Sequence, residues 1–407
     1  MKGVFVVIDG VGDEPCQSLG QITPLQAAKT PNLDVIAKKS KMDYCYPVKK
    51  DFVPESSEAV ISLLGYDYLD VNRGPFEALG LGIKLNRGDL ALRCNFATID
   101  DLEKGHVLDR RAGRTLTTKE AKILAKAINK NVKLPFEFEF YPAVQHRGVL
   151  VIRGGFSDNI SDIDGDVEDK KLKFSEPLDD EDETRLAANL VNQFVRHSYE
   201  VLDNHPINVE RARKGLFAAN VIFCRGAGNV PARFKKIKGK WMALGYMPLE
   251  IGIAKSVGMD VYKFRYPKLK SIDVYACLYS GLKYAVKYAV KMLKKYKNKY
   301  DYFYIHFKEP DLPGHDNKPH DKVNMIEYID KYFFSFLKKF IGKNKLVVTG
   351  DHTTSCRLKS HTADPVPVLV YPHPAEKESE KRFIEIEGMK GRGHVGRKLL
   401  DETLFRK

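Results

Sequence analysis

The sequence predicts an α/β protein with a doubly wound, mostly parallel sheet and a smaller α/β domain inserted into it. Short apolar segments alternate with segments of helical periodicity along much of the 407-residue chain. This alternation is typical of parallel sheets covered by helices on both faces. The length exceeds that of one ordinary hydrophobic core, which favours two domains or one domain with a large insertion.

The predicted core begins with an apolar strand at Gly3–Ile8. Helices are expected after Thr23-Pro24 and Thr30-Pro31, because proline is well placed at the first position of a helix. Later in the chain, helices are predicted at 280–296 and 323–341, and the strands that alternate with them are Tyr302–Phe307, Lys345–Thr349 and Val366–Tyr371. Strands separated by helices in this way indicate parallel pairing.

The pattern changes between residues 75 and 215. Strand-like segments at 91–98, 136–141 and 148–153 alternate there with helical segments around 117–129 and 183–202. We therefore assign 1–74 and 216–407 to the core and 75–215 to an inserted domain that binds substrate and covers the site. A short apolar strand at 220–224 is taken as the return to the core.

The net charge does not by itself decide the class of protein. The net charge is +14, but the densest lysine patch, at 287–299, keeps apolar residues at helical spacing and so predicts a solvated helix face. We therefore expect no nucleic-acid partner, and a basic protein is suited to a small anionic substrate. The sequence leaves the oligomeric state open.

No segment is long and apolar enough to predict a membrane span. The N-terminal apolar run is short and ends at Asp9, which favours a buried strand over a signal peptide. We expect a cytoplasmic protein without a membrane partner. The six cysteines show no C-x-x-C spacing, so neither a zinc knuckle nor a disulfide framework is predicted.

Aspartate and histidine side chains, here called metal-type because they commonly bind metal ions, follow the carboxyl ends of three predicted core strands. Ligands gather at this edge in such sheets. A buried aspartate at a strand end is costly unless a cation or hydrogen bonds satisfy it. Mixed carboxylate and imidazole donors suit Mn²⁺, Zn²⁺ or Mg²⁺-like ions, and two such ions can clamp a phosphoryl group during transfer. The candidates are Asp9, Asp311, His315, Asp351, His352 and His361.

Ser56 is the candidate nucleophile, because it falls at the predicted start of a helix that ends near Gly65. Metal coordination would activate its hydroxyl, and a helix N-terminus favours a bound phosphate. Taken alone, such a serine is more often an ordinary N-cap, and an Asp-His pair is more often a turn or cap. The conjunction of these motifs at one sheet edge favours phosphoryl transfer.

The ordered motifs resemble those of the archaeal-type 2,3-bisphosphoglycerate-independent phosphoglycerate mutases of the alkaline phosphatase superfamily. The resemblance spans nearly the whole chain. It rests on Asp9-Gly10-Val11-Gly12-Asp13, Arg73-Gly74-Pro75-Phe76-Glu77-Ala78, Asp109-Arg110-Arg111-Ala112-Gly113-Arg114, His146-Arg147-Gly148-Val149, Arg225-Gly226-Ala227-Gly228, Asp311 with Gly314-His315-Asp316, Asp351-His352-Thr353-Thr354 and His361-Thr362-Ala363-Asp364.

This resemblance implies an alkaline-phosphatase-like core and the interconversion of 3-phosphoglycerate and 2-phosphoglycerate, in glycolysis or gluconeogenesis, through a phosphoserine at Ser56. It implies two divalent ions (Mn²⁺, Zn²⁺, Co²⁺ or Mg²⁺) and no bisphosphoglycerate. One ion would be held by Asp9, Ser56, Asp351 and His352, and the other by Asp311, His315 and His361. The substrate would contact Asp109, Arg111, Arg114, Arg147 and Lys308.

The chain departs from the family pattern around the serine. Pro-Gly-Ser-Asp is replaced by Pro54-Glu55-Ser56-Ser57, so Ser57 remains an alternative nucleophile, and a polar family position is Val60. Two other functions stay open: a related metal-dependent phosphohydrolase or phosphomutase acting on another phosphate ester, and a non-catalytic relative. Release of free phosphate would distinguish a phosphohydrolase from a mutase.

Overall fold

The computed structural model describes residues 1–68, 72–165, 171–268, 273–372 and 381–406. The strands, in chain order, are β1 (Gly3–Ile8), β2 (Lys41–Tyr46), β3 (Leu90–Ile99), β4 (Val107–Asp109), β5 (Phe138–Pro142), β6 (Arg147–Ile152), β7 (Asp164–Gly165), β8 (Leu172–Lys173), β9 (Val221–Gly228), β10 (Trp241–Gly245), β11 (Asp260–Lys263), β12 (Tyr302–Phe307), β13 (Lys345–Thr349), β14 (Thr353–Ser355), β15 (Ser360–Thr362), β16 (Val366–Tyr371) and β17 (Gly393–Val395).

The helices, in chain order, are α1 (Pro24–Ala27), α2 (Pro31–Ala37), α3 (Ser56–Leu63), α4 (Arg73–Leu81), α5 (Thr118–Asn131), α6 (Asp182–Leu202), α7 (Pro206–Arg213), α8 (Pro248–Ser256), α9 (Val274–Tyr296), α10 (Asp311–His315), α11 (Pro319–Ile329), α12 (Ser335–Phe340), α13 (Glu385–Gly388) and α14 (Gly396–Glu402). A π-helical turn at Asp330–Phe334 joins α11 to α12. No helix in the described part of the chain is long and apolar enough to cross a bilayer.

The larger sheet has the strand order β11-β10-β12-β1-β13-β16-β2-β17. The five strands from β11 to β13 pair in parallel, whereas β16 is antiparallel to both of its neighbours. Side chains of β1 alternate between two apolar clusters, with Val4, Val6 and Ile8 in one and Phe5 and Val7 in the other. Burial on both faces is the expected environment of a central parallel strand. The predicted doubly wound, mostly parallel sheet is confirmed.

The smaller sheet is antiparallel and centres on β3, which pairs with β4, β6 and β9, while β5 pairs with β6. Apolar side chains of α5 and α6 pack against it to form a separate core. The strand predicted at 220–224 exists as the start of β9, but its assignment to the larger sheet is wrong. Cys224 lies opposite Cys94 of β3, and the buried side chains of β9 complete the core of the insertion. The inserted domain therefore extends to Gly228, the last residue of β9, and not to the predicted boundary at 215.

Helices α4 and α8 join the two sheets through close backbone contact. A Cβ atom added to Gly80 of α4 would lie 1.8 Å from the carbonyl oxygen of Pro248, and one added to Gly252 of α8 would lie 1.8 Å from that of Phe76. Only glycine permits this approach. The helix α4 also packs against β3 and β9, so the start of the insertion is anchored to the core beside the carboxyl edge of the larger sheet.

Candidate active site

The candidate site lies at the carboxyl edge of the three central strands β12, β1 and β13. Asp9 follows β1, Asp351 follows β13 after one glycine, and Asp311 begins α10 shortly after β12. Parallel pairing of β1 with both neighbours places these strand ends side by side. The sheet topology therefore brings together residues that are more than 300 positions apart in the sequence.

Asp9, Asp351 and His352 are fully buried and form the first half of the cluster. The Nε2 atom of His352 lies 3.3 Å from Asp9 Oδ1 and 3.5 Å from Asp351 Oδ2. Asp351 Oδ1 accepts from the backbone N–H groups of Gly10 and His352, both at 3.1 Å. Asp9 Oδ1 and Asp351 Oδ2 are buried without a hydrogen-bond partner in the described structure. Such oxygens are costly to bury, and this donor set fits a divalent cation.

Asp311, His315 and His361 form the second half. The Nε2 atoms of His315 and His361 lie 3.4 and 3.8 Å from the carboxylate oxygens of Asp311. The ring of His361 stacks on that of His352 with centroids 3.7 Å apart. His352 is close enough to share a cation with either half of the cluster. All six metal-type residues predicted from the sequence are thus in one cluster.

Hydrogen bonds at Nδ1 orient the three imidazoles. His315 donates from Nδ1 to the carbonyl oxygen of Lys359 at 3.0 Å, and His361 donates to that of Pro54 at 2.8 Å. Thr354 Oγ1 donates to Asp311 Oδ1 at 2.8 Å and so accepts from His352 Nδ1 at 3.0 Å. Because each Nδ1 carries the proton, each Nε2 presents a lone pair to the cluster, as metal-binding histidines require.

Ser56 is the first residue of α3 and makes the contact between that helix and the cluster. Its Oγ lies 3.1 Å from His352 Nε2, and with the tautomer described above the hydroxyl donates this hydrogen bond. His361 donates to the carbonyl oxygen of Pro54, which lies two residues before Ser56. This hydrogen bond fixes the start of α3. Ser57 is buried, whereas Ser56 is half-buried. The geometry favours Ser56 over Ser57 as the nucleophile.

Electrostatic interactions in the cluster keep Asp311 ionised and His361 neutral. Burial alone would raise the pKa of Asp311, but His315 and the other two imidazoles hold it well below its usual range. Burial and the neighbouring His352 lower the pKa of His361. Burial alone would lower the pKa of His315, but Asp311 raises it above its ordinary value. An ionised carboxylate and a neutral imidazole are the forms that bind metal ions.

The turn that carries Asp109, Arg111 and Arg114 faces this cluster from the insertion. Asp109 Oδ1 accepts from the backbone N–H groups of Arg111 and Gly113, both at 2.7 Å. Ala112, Gly113 and Arg114 all have positive φ, between 47° and 64°, a conformation that needs such support in residues other than glycine. In this structure Asp109 therefore holds the shape of the turn.

The arginines of the turn differ in their partners. Arg114 Nη1 donates to both carboxylate oxygens of Asp316, at 2.9 and 2.7 Å, and Asp316 directly follows His315. Burial, together with the nearby Arg114 and Arg147, lowers the pKa of Arg111 to about 10. Clustered guanidinium groups of this kind are suited to an anionic ligand with several oxygens.

Lys308, predicted to contact the substrate, lies against the metal-type carboxylates. Its Nζ forms an ion pair with Asp9 Oδ2 and lies 3.1 Å from Glu250 Oε1. Burial alone would lower the pKa of Lys308, but Asp9 and Glu250 raise it well above its usual range. This ammonium group is therefore held at the edge of the cluster.

Several polar residues near the site were not predicted. Arg93 on β3 lies beside Arg73, and both approach Glu77 Oε1, with their Nε atoms at 3.6 and 3.1 Å. Glu250 lies in the apolar helix α8, and His306 lies in the apolar strand β12. A charged or imidazole side chain inside an otherwise apolar element is the signal that could have identified them.

Comparisons with known proteins agree with this architecture. Residues 37–208 match the sequence profile of the 2,3-bisphosphoglycerate-independent phosphoglycerate mutase family. The phosphoglycerate mutase of this type from Pyrococcus abyssi is 39% identical, over 97% of this chain and 95% of its own length. The one from Thermococcus kodakarensis is 38% identical, over 97% and 94%.

Two solved structures are similar over the whole chain. A protein from Pyrococcus horikoshii has a TM-score of 0.77 and 29% identity, covering 99% of this chain and 96% of its own. The cofactor-independent phosphoglycerate mutase from Thermoplasma acidophilum has a TM-score of 0.59 and 28% identity, covering 100% and 99%. The fold and these similarities define the chain as an isomerase of the phosphoglycerate mutase class. With 38–39% identity to its relatives over nearly its full length, the chain belongs to the family of 2,3-bisphosphoglycerate-independent phosphoglycerate mutases.

Proposed function

We propose that this chain interconverts 3-phosphoglycerate and 2-phosphoglycerate through a phosphoserine at Ser56, without bisphosphoglycerate, as a cytoplasmic enzyme of glycolysis or gluconeogenesis. The observation that carries the proposal is the 3.1 Å contact between Ser56 Oγ and His352 Nε2. This contact lies at a helix start, beside buried carboxylate oxygens that have no hydrogen-bond partner among the described residues. The membership of the chain in the mutase family supports the choice of substrate. No nucleic-acid or membrane partner is part of this proposal.

The residues of the cluster would hold two divalent ions (Mn²⁺, Zn²⁺, Co²⁺ or Mg²⁺). One site comprises Asp9, Ser56, Asp351 and His352, and the other comprises Asp311, His315 and His361. When bound, the ions would favour the ionised serine hydroxyl and neutralise negative charge on the phosphoryl group. The mixture of carboxylates and imidazoles does not select among the four metals.

The chain's own residues would carry out the remaining steps. Ser56 Oγ gives up its proton and bonds to phosphorus while the bond from phosphorus to the glycerate oxygen breaks, and that oxygen takes up a proton. The glycerate stays bound and reorients, its other hydroxyl gives up a proton and bonds to phosphorus, and the bond from phosphorus to Ser56 Oγ breaks as the serine takes up a proton. The N-terminus of α3 lies beside the phosphoserine and stabilises its charge. Arg111 and Arg147 would grip the carboxylate and phosphate oxygens while the glycerate reorients. The Arg114–Asp316 contact brings the turn of the insertion over the site, which would exclude water and prevent hydrolysis.

The test is an incubation of the metal-loaded protein with 3-phosphoglycerate in the absence of bisphosphoglycerate, with 2-phosphoglycerate and free phosphate measured together. We expect 2-phosphoglycerate to form without stoichiometric phosphate. Release of phosphate in place of the isomer would indicate a phosphohydrolase. Substrate binding without either product would indicate a non-catalytic relative.

The nucleophile is tested by a matched pair of variants. Ser56→Ala should abolish turnover while the protein still binds metal, because the other ligands remain. Ser57→Ala should keep most of the activity, because the described hydrogen bond to His352 is made by Ser56. The opposite pattern would transfer the role to Ser57.

Exhaustive chelation should inactivate the wild type, and addition of Mn²⁺, Co²⁺ or Zn²⁺ should restore its activity. Full activity of the metal-free protein would refute the two-metal site.

A further inference from the structure

His306 is a buried imidazole that contacts both aspartates of the first half-site. It lies near the carboxyl end of β12 and is 1% exposed. Its Nε2 is 3.3 Å from Asp9 Oδ2 and 3.5 Å from Asp351 Oδ2. These distances are long for a closed hydrogen bond, and no other described group lies within hydrogen-bond reach of Nε2. The nitrogen is therefore aimed between the two carboxylates.

The other ring nitrogen of His306 contacts the hydroxyl of Tyr304. Tyr304 Oη lies 3.0 Å from His306 Nδ1, and the tyrosine side chain is buried. Because Nε2 faces two carboxylates, the neutral imidazole carries its proton there, and Nδ1 then accepts from the Tyr304 hydroxyl. The proton of the neutral imidazole then lies on Nε2 and points towards Asp9 and Asp351. His306 differs in this respect from the three imidazoles that present a lone pair at Nε2.

The two oxygens of Asp9 have separate surroundings. Oδ2 faces His306 and is paired with Lys308, which is held in turn by Glu250. Oδ1 faces His352 at 3.3 Å. Donors on one oxygen leave the other oriented towards the ligand side of the cluster, as outer hydrogen bonds do for metal-binding carboxylates.

We propose that His306, held by Tyr304, is a positioning residue that donates from Nε2 to Asp9 and Asp351 and so orients both carboxylates for the first metal ion. This inference rests on the proposed two-metal function. His306 acts through the carboxylates and does not itself bind the ion. Removing its donor should weaken binding at the first site by 10- to 100-fold, the usual effect of losing such an outer partner.

The experiment is a titration of the metal-free protein with Co²⁺, followed by its visible absorption, without substrate. His306→Leu should show the 10- to 100-fold loss of affinity with unchanged absorption bands for the saturated site. His306→Asn, which keeps an N–H donor, should recover part of the loss, and Tyr304→Phe should produce a smaller loss. The matched control is His394→Asn: His394 is also buried between two carboxylates, those of Asp43 and Glu402, away from the cluster. The His394→Asn variant should bind Co²⁺ with the affinity of the wild type.

Wild-type affinity in His306→Leu would overturn the proposal. Bands indicating the loss of a nitrogen ligand in that variant would also overturn it, because His306 would then bind the ion directly. If His306→Leu does not fold, His306→Asn and Tyr304→Phe decide the question by the same two measurements. A wild-type protein that binds no Co²⁺ would instead contradict the proposed two-metal function.

Discussion

The half-buried carboxyl group of Glu385 should make the stability of the protein fall as the pH rises. Its oxygens accept from Thr23 Oγ1 at 2.9 Å and from the backbone N–H of Asp13 at 3.3 Å. Burial raises its pKa from the usual 4.5 to about 7, and these hydrogen bonds only partly oppose the increase. The folded protein therefore holds this proton more tightly than the unfolded chain does.

The sign and size of the effect follow from this difference. Below pH 4.5 the carboxyl is protonated in both states, and its full contribution is present. Between pH 4.5 and about 7 the unfolded chain loses the proton first, so stability decreases as the pH rises. One pKa unit corresponds to about 1.4 kcal/mol. Because the side chain is partly accessible to solvent, we expect a loss of about 2 kcal/mol across this range, below the value that complete burial would give.

The measurement is the free energy of unfolding in urea at pH 5, 6, 7 and 8, with EDTA present to remove metal effects. The glutamine of Glu385→Gln cannot ionise. The free energy of unfolding of this variant, taken relative to that of the wild type, should therefore rise by about 2 kcal/mol between pH 5 and pH 8. Glu387→Gln is the control, because that carboxylate is in the same short helix but pairs with Lys390 at the surface. Parallel pH profiles for Glu385→Gln and the wild type would refute the reasoning.

Three further predictions concern packing and ion pairs, and each is measured as a free energy of unfolding. Lys322 is buried, and its ammonium group donates to two carbonyl oxygens and one carboxylate oxygen. Lys322→Met should therefore lower the free energy of unfolding by about 3–5 kcal/mol; a loss below about 1 kcal/mol would contradict this. Gly80→Ala should cost about 1–3 kcal/mol, because its Cβ would meet the Pro248 carbonyl, and an unchanged stability would show that the helices separate freely. A double-mutant cycle of Arg114→Met and Asp316→Asn should give a coupling of about 1 kcal/mol, and strict additivity would show that the contact contributes nothing.

The sequence predicts the core of the site well because its signals are local. An apolar run followed by Asp9 or Asp351 indicates both a buried strand and its functional end, and parallel pairing then brings those ends together. The position of Ser56 follows in the same way from the start of a helix. These predictions need only the period of the strands and the rule that ligands gather at their carboxyl ends.

The rest depends on contacts between distant segments. The apolar pattern of β9 predicts a strand, but only the pairing with β3 shows which sheet contains it. Lys308 has the charge of a phosphate ligand, yet its partners are Asp9, after β1, and Glu250, in α8, and both are distant in the sequence. His306 and Glu250 interrupt apolar segments, which marks them in the sequence, but their partners follow only from the folded structure. Burial and partner identity are tertiary properties that periodicity does not encode.

The two halves of the cluster differ in charge, and this difference bears on how they would bind metal. Around the first half, the carboxylates of Asp9, Asp351 and Glu250 face the single ammonium of Lys308 among the described residues. A divalent cation would neutralise the remaining charge, which removes the main cost of burying it. Among the described residues, Asp311 is the one carboxylate in contact with the imidazoles of the second half. A divalent cation there would leave a net positive charge on these contacting groups. An anionic phosphate would supply the balance, and binding of the second ion and of the substrate should therefore strengthen each other.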